Sequence, residues 1–299
     1  MIRPLLQSLR PAQWAKNVFV LAPLVFGGLL LNSQVTLRAF LALVAFCCAS
    51  SAVYLINDLR DREEDRRHPL KRLRPLAAGT LGVPAAIAAV VFLIAAAGAL
   101  AVWLGRPFGT VLGAYLILNV LYTLWFKHMV ILDVMSISLG FVLRVVAGAQ
   151  ATHVEVSRWL FLCTIFLALF LAFSKRRHEI TLLAGAAAEQ RRVLDHYSPA
   201  FLDQMINVVT ASSVVAYALY CVAPETVEKY HTQDLIYTIP LVLYGIFRYL
   251  YLMYQSPGER NPTEAILKDP PFLINMVLWG LAVLWIVYSG GIGRALGRL

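Results

Sequence analysis

The sequence predicts an all-α polytopic membrane protein with nine transmembrane helices. Of its 299 residues, 60% are hydrophobic and only 14% are charged, whereas about 25% of the residues of an average soluble domain are charged. The apolar residues gather in runs, and about 20 apolar residues suffice for a helix to cross a bilayer. The runs lie at 17–31, 36–56, 82–104, 108–126, 130–150, 158–174, 203–223, 233–254 and 271–291.

The N-terminal segment, residues 1–16, precedes these runs and differs from them. It mixes basic residues such as Arg10 and Lys16 with leucines and Trp14, a pattern typical of an amphipathic helix at the membrane surface. The run that follows, 17–31, is short, so we expect it to tilt or to enter the membrane only partway. All four cysteines lie within apolar runs, where we expect them to be packing residues.

Positive charge is distributed unevenly between the two sides of the predicted bundle. Eighteen of the 26 Lys and Arg residues lie in the N-terminal segment and in the loops after even-numbered runs, so the positive-inside rule places these parts in the cytoplasm. Two of the loops, 57–81 and 175–202, are long, and we predict that they are the active-site loops of a single domain, 1–299. Basic clusters beside a membrane are typical of sites for anionic headgroups or phosphates. Nucleic acid is not an expected partner, because the sequence has no nucleic-acid-binding motif.

The densest charge cluster directly follows the second run. Asn57, Asp58, Asp61 and Asp65 form the pattern NDxxDxxxD. If the second helix continues past Asn57, the three carboxylates lie on one helical face, where they repel each other unless a cation lies among them. Carboxylate and amide oxygens are ligands that Mg²⁺ prefers, so we predict that these four residues bind Mg²⁺ and that Asp58 and Asp61 are catalytic. The alternative is a solvated loop with interspersed salt bridges, which is how we interpret the other charges of this stretch.

Several stretches, including this motif, resemble the UbiA superfamily of intramembrane prenyltransferases, which have nine transmembrane helices. NDxxDxxxD is similar to the first aspartate-rich motif of the superfamily. The stretches RPAQWAKN at 10–17, GFVLRVVAGA at 140–149 and SKRRHEI at 174–180 are similar to a narrower branch that transfers phosphoribose to polyprenyl phosphates. The resemblance extends to about residue 205 and is weaker beyond it.

The resemblance implies a cytoplasm-facing active-site cavity and a Mg²⁺-dependent reaction. In that reaction 5-phosphoribose moves from phosphoribosyl pyrophosphate to a polyprenyl phosphate, pyrophosphate leaves, and the product feeds an arabinose lipid donor for the cell wall. A homotrimer is also consistent with the resemblance. The sequence lacks the second aspartate-rich motif of prenyl-diphosphate users, and basic residues follow the sixth run instead. A basic loop can neutralise further phosphate charge, which suits a reaction whose two substrates both carry phosphate.

The predicted substrate-binding residues are polar or charged and lie in or near these loops. They are Lys16, Tyr54, Arg60, Lys71, Arg72, Arg74, Lys127, Arg144, Lys175, Arg176 and Glu179. Arg144 lies within the fifth run, so we expect it to face the bundle interior and bind the lipid phosphate. Pairing with Asp133 in the same helix is excluded, because 11 residues span about 16 Å. Glu179 is either the i+4 partner of Lys175 or a second metal ligand, and Lys16 is either an interfacial anchor or a phosphate ligand.

Two other functions remain open. A prenyltransferase that moves a polyprenyl group from its diphosphate to an aromatic or other acceptor would share the fold, although the absent second acidic motif argues against it. A transporter or flippase would spread charged residues through the bilayer midplane, whereas here they gather on one side. Arg248, beside Tyr249 and Tyr251, is interpreted as a snorkelling or aromatic-packed arginine.

Overall fold

The computed structural model describes residues 2–68, 71–155, 157–183, 196–255 and 269–296, and within these ranges every regular element is an α-helix or a 3₁₀-helix. In those ranges, eight helical segments are long and apolar enough to cross a bilayer, which confirms the predicted fold class of a helical multi-pass membrane protein. The α-helices are α1 Ile2–Leu9, α2 Ala22–Phe26, α3 Ser33–Arg60, α4 Arg62–Arg67, α5 Val83–Leu104, α6 Arg106–Leu124, α7 Leu132–Thr152, α8 Arg158–Leu183, α9 Pro199–Val222, α10 Pro224–Tyr230, α11 Ile239–Gln255 and α12 Pro270–Leu296. The 3₁₀-helices are Pro11–Leu21, Lys71–Leu73, Phe126–His128 and Asp234–Thr238.

The first predicted run, 17–31, is a broken segment, in keeping with its short length. It begins in the 3₁₀-helix Pro11–Leu21 and continues as the five-residue α2. Gly28, just after α2, has a φ of 72°, a left-handed conformation that glycine adopts without steric cost. The chain can therefore turn here towards α3, which Asn32 caps by accepting hydrogen bonds from the backbone N–H groups of Gln34 and Val35.

The chain divides into two compact units. Unit 1 comprises Met1–Trp125 and Gly140–Val156. Its core contains a face of small residues on α3, together with Phe46, Phe108 and Tyr115, and small residues let helices approach closely where lipid offers no hydrophobic driving force. Gly148 of α7 shows how close this packing is, because a Cβ atom there would clash with the backbone carbonyl of Val20 in the 3₁₀-helix.

Unit 2 comprises Phe126–Leu139 and Ser157–Leu299. Its core is built mainly from α8, α9 and α11, and includes Phe170 and Tyr249, whose ring centroids lie 4.9 Å apart. Helix α8 continues to Leu183, so the prediction that a loop begins at 175 is wrong: the helix extends about two turns beyond its apolar part. Residues 184–195 of that predicted loop lie outside the described residues, as do residues 256–268.

Candidate active site

The acidic motif lies where α3 ends and α4 begins. Asp58 is in the last turn of α3 and Asp65 is in α4, and their side chains are only 3% and 2% exposed. Arg74 links them, because its Nη1 donates to Oδ2 of Asp65 at 2.6 Å and to Oδ1 of Asp58 at 3.2 Å. Two buried carboxylates therefore converge on one positively charged group.

Arg74 is held in place by the apolar residues that follow it. Leu76 and Leu81 are buried in a small cluster with Leu55 of α3, so the segment that carries Arg74 packs directly against the helix that carries Asp58. Arg62 of α4 adds a polar link, since its Nε donates to the carbonyl oxygen of Leu76 at 3.3 Å. Burial of these leucines fixes the segment and thereby places the charged side chain of Arg74 beside the two carboxylates instead of in solvent.

A second arginine reaches the same carboxylate from the N-terminal segment. Nη2 of Arg10 donates to Oδ1 of Asp58 at 2.5 Å, and its guanidinium lies 4.9 Å from the ring centroid of Tyr54. The segment is tied to α3 by Trp14, whose Nε1 donates to the hydroxyl of Ser51 at 3.0 Å. Tyr54, a predicted substrate-binding residue, therefore lies beside the acidic motif as a support for Arg10.

Arg10 was not among the predicted site residues. Its backbone is left-handed, with φ 54° and ψ 61°, a conformation that costs a non-glycine residue about 1 to 3 kcal/mol and is concentrated at functional sites. The signal that could have identified it is the stretch RPAQWAKN, which Arg10 opens. Its contact with Asp58 spans 48 positions of sequence, and no local pattern reports a contact of that separation.

Asn57 and Asp61 occupy different surroundings. The hydroxyl of Thr123 in α6 donates to Oδ1 of Asn57 at 3.2 Å, and Nη1 of Arg60 donates to the carbonyl oxygen of Thr123 at 3.4 Å. Asp61 is half buried at the junction of α3 and α4, where its backbone N–H donates to the carbonyl oxygen of Asn57 at 2.9 Å. Thr123, also not predicted, orients the Asn57 amide.

The side chains of the motif are of the types that bind a divalent cation, and two of them are arranged so that they share one cationic partner. Asp58 and Asp65 already share one cationic partner, Arg74, and their oxygens are the hard ligands that Mg²⁺ takes. Across the ranges that the structure describes, no group of three or more His, Cys, Asp or Glu side chains is arranged as a metal site. The structure thus brings together two of the three predicted carboxylates, and the full ligand set of Asn57, Asp58, Asp61 and Asp65 stays a prediction.

Arg144 lies in the interior of unit 1, 6% exposed, as the sequence predicted. Its Nε donates to Oδ1 of Asn17 at 2.8 Å, its Nη1 to the carbonyl oxygen of Gly140 at 2.8 Å and its Nη2 to the hydroxyl of Tyr115 at 3.0 Å. All three partners are neutral. In the described part of the chain no salt bridge involves Arg144, and Asp133 pairs elsewhere.

Unit 2 contains a buried charge network on α7 and α8. Arg176 and Asp133 have side chains 1% and 0% exposed, and Nε of Arg176 lies 2.7 Å from Oδ2 of Asp133. The hydroxyl of Tyr197 donates to the other oxygen of Asp133 at 2.6 Å. Nη1 of Arg176 also donates to Oε2 of Glu179 at 2.5 Å, and Oε1 of Glu179 lies 3.8 Å from Nζ of Lys175.

This network decides the surroundings of two predicted residues, Arg176 and Glu179. Arg176 was expected in a loop as a substrate-binding residue; instead it lies in α8, where ion pairs with Asp133 and Glu179 compensate the burial of its charge. Glu179 is the i+4 partner of Lys175, the first of its two predicted roles. Burial and the hydrogen bond to Asp133 raise the pKa of Tyr197, so its phenol stays protonated and keeps donating.

The other predicted contacts are basic residues on short or surface elements. Lys16 is exposed on the 3₁₀-helix Pro11–Leu21, and Arg72 is exposed beside the half-buried Lys71. Lys127 is half buried in the 3₁₀-helix Phe126–His128. Their roles in substrate binding stay predictions.

Arg248 has a partner that the sequence did not indicate. Its Nη2 lies 2.7 Å from Oδ2 of Asp269, and its guanidinium lies 5.2 Å from the ring centroid of Tyr251. The aromatic packing expected for Arg248 is therefore confirmed, with an ion pair added to it. Asp269 lies at the start of α12, so the pair links α11 to α12.

The fold and the site define an integral membrane protein whose helix ends hold a buried acidic cluster under arginine side chains. The model of the UbiA prenyltransferase family matches residues 20–267, and the chain belongs to that family. It is accordingly a transferase.

Curated relatives narrow the similarity further. The chain is 35% identical over 95% of its length, and over 86% of the relative, to the decaprenyl-phosphate phosphoribosyltransferase of Corynebacterium glutamicum. It is 34% identical over 97% of its length, and over 94% of the relative, to the protein of the same name from Mycobacterium tuberculosis. These matches confirm the narrower resemblance inferred from the stretches at 10–17 and 174–180.

Solved structures support the fold. A UbiA homologue from Archaeoglobus fulgidus bound to GPP and Mg²⁺ has a TM-score of 0.69 at 22% identity, covering 97% of this chain and 98% of that one. The apo structure of a UbiA homologue from Aeropyrum pernix has a TM-score of 0.62 at 19% identity, covering 93% of this chain and 98% of that one. At these identities the likeness establishes the fold alone.

Proposed function

We propose that this protein transfers 5-phosphoribose from phosphoribosyl pyrophosphate to a polyprenyl phosphate and releases pyrophosphate. The observation that carries the proposal is that unit 1 holds an acidic cluster and also a buried arginine, Arg144, that has only neutral partners. The first is suited to a metal-bound diphosphate and the second to a separate phosphate. Similarity over nearly the whole chain to proteins named decaprenyl-phosphate phosphoribosyltransferase supports this pair of substrates.

In this proposal the acidic cluster receives the donor. Asn57, Asp58, Asp61 and Asp65 hold Mg²⁺, which when bound offsets the charge that accumulates on the leaving pyrophosphate. Arg74 lies within hydrogen-bonding distance of two of these carboxylates, so its guanidinium is in position to bind phosphate oxygens of the same donor, bidentately where the geometry allows.

Arg144 receives the phosphate of the lipid. A guanidinium has five N–H donors, and three of its hydrogen bonds go to Asn17, Gly140 and Tyr115. Two N–H groups thus remain for a ligand, and a buried cation without a carboxylate partner favours an anion. The lipid phosphate is itself an anion at neutral pH, so an oxygen can attack C1 of the ribose without a general base.

The buried network of unit 2 gives Arg176 a structural role. Both oxygens of Asp133 and one oxygen of Glu179 accept hydrogen bonds within the network. These carboxylates are already neutralised, which disfavours a second metal site of the prenyl-diphosphate type. Lys175, whose side chain is 52% exposed and pairs with Glu179, is the residue of this helix that we assign to contact a substrate phosphate.

We infer the membrane location and orientation of the enzyme from its charge distribution. We propose that the protein lies in the cell membrane with its N-terminus and active site in the cytoplasm, since 18 of its 26 Lys and Arg residues fall in the segments assigned to that side. The product would enter the biosynthesis of an arabinose lipid donor. A homotrimer is part of the same proposal and is tested by the mass of the purified protein–detergent complex.

The decisive test supplies both substrates to the purified protein. With phosphoribosyl pyrophosphate labelled in the ribose, decaprenyl phosphate and Mg²⁺, we expect a labelled lipid and one pyrophosphate per lipid formed. Absence of labelled lipid, together with consumption of a polyprenyl diphosphate and an aromatic acceptor, would establish the prenyltransferase alternative. Lipid or substrate flux across liposomes without any covalent product would establish transport.

A further inference from the structure

Two members of the acidic cluster, Asp58 and Asp65, are electrically balanced by Arg10 and Arg74. Asp58 accepts from both Arg10 and Arg74, and Asp65 accepts from Arg74. Two carboxylates and two guanidinium groups sum to zero formal charge. In this state Nη1 of Arg74 occupies the place of a cation between the two carboxylates, because both accept a hydrogen bond from it.

A divalent cation cannot simply be added to this arrangement. It would leave a net charge of two on the four groups Asp58, Asp65, Arg10 and Arg74, whose carboxylates are only 2% to 3% exposed, and uncompensated buried charge is strongly unfavourable. The carboxylates are fixed on helices, whereas the side chains of Arg10 and Arg74 are 30% and 31% exposed. The arginines are therefore the groups that can leave, and Arg74 is the one that bridges both acids.

Resting on the metal assignment in the proposed function, we propose that Arg74 is an internal counter-cation that competes with Mg²⁺ for Asp58 and Asp65. Binding of the metal displaces the guanidinium. The displaced group then lacks an anionic partner until a phosphorylated substrate arrives, so the metal binds weakly by itself and more tightly with the substrate. Arg74 is in this sense a positioning residue that couples metal binding to phosphate binding.

Metal binding without any phosphate tests the competition directly. Mg²⁺ alone is titrated into the full-length protein in phosphate-free buffer by isothermal calorimetry. The variants are Arg74→Gln and, as matched control, Arg67→Gln, which removes the same charge from an exposed position two residues after Asp65. Loss of charge-assisted hydrogen bonds should tighten Mg²⁺ binding about tenfold in Arg74→Gln relative to Arg67→Gln. Equal affinity in the two variants would overturn the proposal.

If Arg74→Gln does not fold, a measurement on the unaltered protein tests the proposal instead. Phenylglyoxal reacts with accessible guanidinium groups, and the modified arginines are located by peptide mass spectrometry. Addition of Mg²⁺ should speed the modification of Arg74, because its guanidinium is released, and should leave Arg67 unchanged. An unchanged or slower reaction at Arg74 would contradict the displacement.

The outcomes separate this inference from the function on which it rests. If neither the unaltered protein nor the variants bind Mg²⁺, and Mg²⁺ changes no arginine reactivity, the metal assignment itself fails. If Mg²⁺ binds with one affinity to all proteins, the metal assignment stands and the counter-cation role of Arg74 fails.

Discussion

The two units of the protein each contain an arginine–aspartate pair near the end of a long helix, built in opposite ways. In unit 1 the carboxylates of Asp58 and Asp65 are buried, while the side chain of Arg74 is 31% exposed. In unit 2 the arginine itself is buried: Arg176 and Asp133 are 1% and 0% exposed. The hydroxyl of Tyr197 binds the second oxygen of Asp133.

The difference teaches which ion pairs can exchange partners. A guanidinium that solvent reaches can return to water when another cation replaces it beside the carboxylates, whereas breaking a pair enclosed on both sides leaves an unpaired charge in the interior. We therefore interpret the unit 1 cluster as a functional site and the unit 2 network as a structural support, although both consist of the same residue types.

The largest expected effect is on activity, in unit 1. Asp58→Asn or Asp61→Asn should abolish measurable turnover, with kcat lower by a factor of about 100 or more, because each substitution removes negative charge from the predicted metal site. Formation of labelled lipid from labelled phosphoribosyl pyrophosphate measures it, with the yield of folded, membrane-inserted protein as the control. Activity retained in both variants would remove the metal assignment.

The next effect is on stability, in unit 2. Arg176→Met should lower the free energy of unfolding by about 3 to 5 kcal/mol, since it leaves Asp133 buried and unpaired. Arg177→Met is the matched control on the same helix: its pair with Asp203 has side chains 21% and 34% exposed, and such a pair contributes about 0 to 1 kcal/mol. Thermal unfolding in detergent compares them, and equal losses would contradict a structural role specific to Arg176.

A third prediction concerns substrate selectivity in unit 1. Arg144→Met should raise the KM for the polyprenyl phosphate about tenfold, through loss of charge-assisted hydrogen bonds to its phosphate, and should change the KM for phosphoribosyl pyrophosphate less. Steady-state kinetics with each substrate varied in turn provides the comparison. Equal effects on both KM values would make Arg144 a structural residue.

The smallest effect is a pH dependence in unit 2. The pKa of Tyr197 is raised, first by burial and then by its hydrogen bond to Asp133. A raised pKa in the folded state means that the folded protein retains a proton that the unfolded chain loses near pH 10, so the contribution of Tyr197 to stability is complete below about pH 10 and is lost at higher pH. Tyr197→Phe should therefore flatten the fall of the melting temperature above that pH, and identical pH profiles would contradict this.

Much of the fold could be predicted, because hydrophobic runs report helices locally. Eight of the predicted runs overlap membrane-spanning helices, and the acidic motif and the inward position of Arg144 follow from local spacing and the cost of charge in lipid. The broken segment at 17–31 and the extension of α8 to Leu183 were harder, since hydropathy does not report backbone geometry or where a polar helix end stops.

By itself the sequence determined the helical membrane fold, the family and the residue types of the site. Only the tertiary structure decided the partners: that Arg10, 48 positions away, reaches Asp58, that Arg74 joins Asp58 to Asp65, and that Arg176 is enclosed by unit 2. The reason is physical. Apolar burial depends on the local pattern of side chains, whereas the partner of a charge and its access to solvent depend on packing between segments that are distant in the chain.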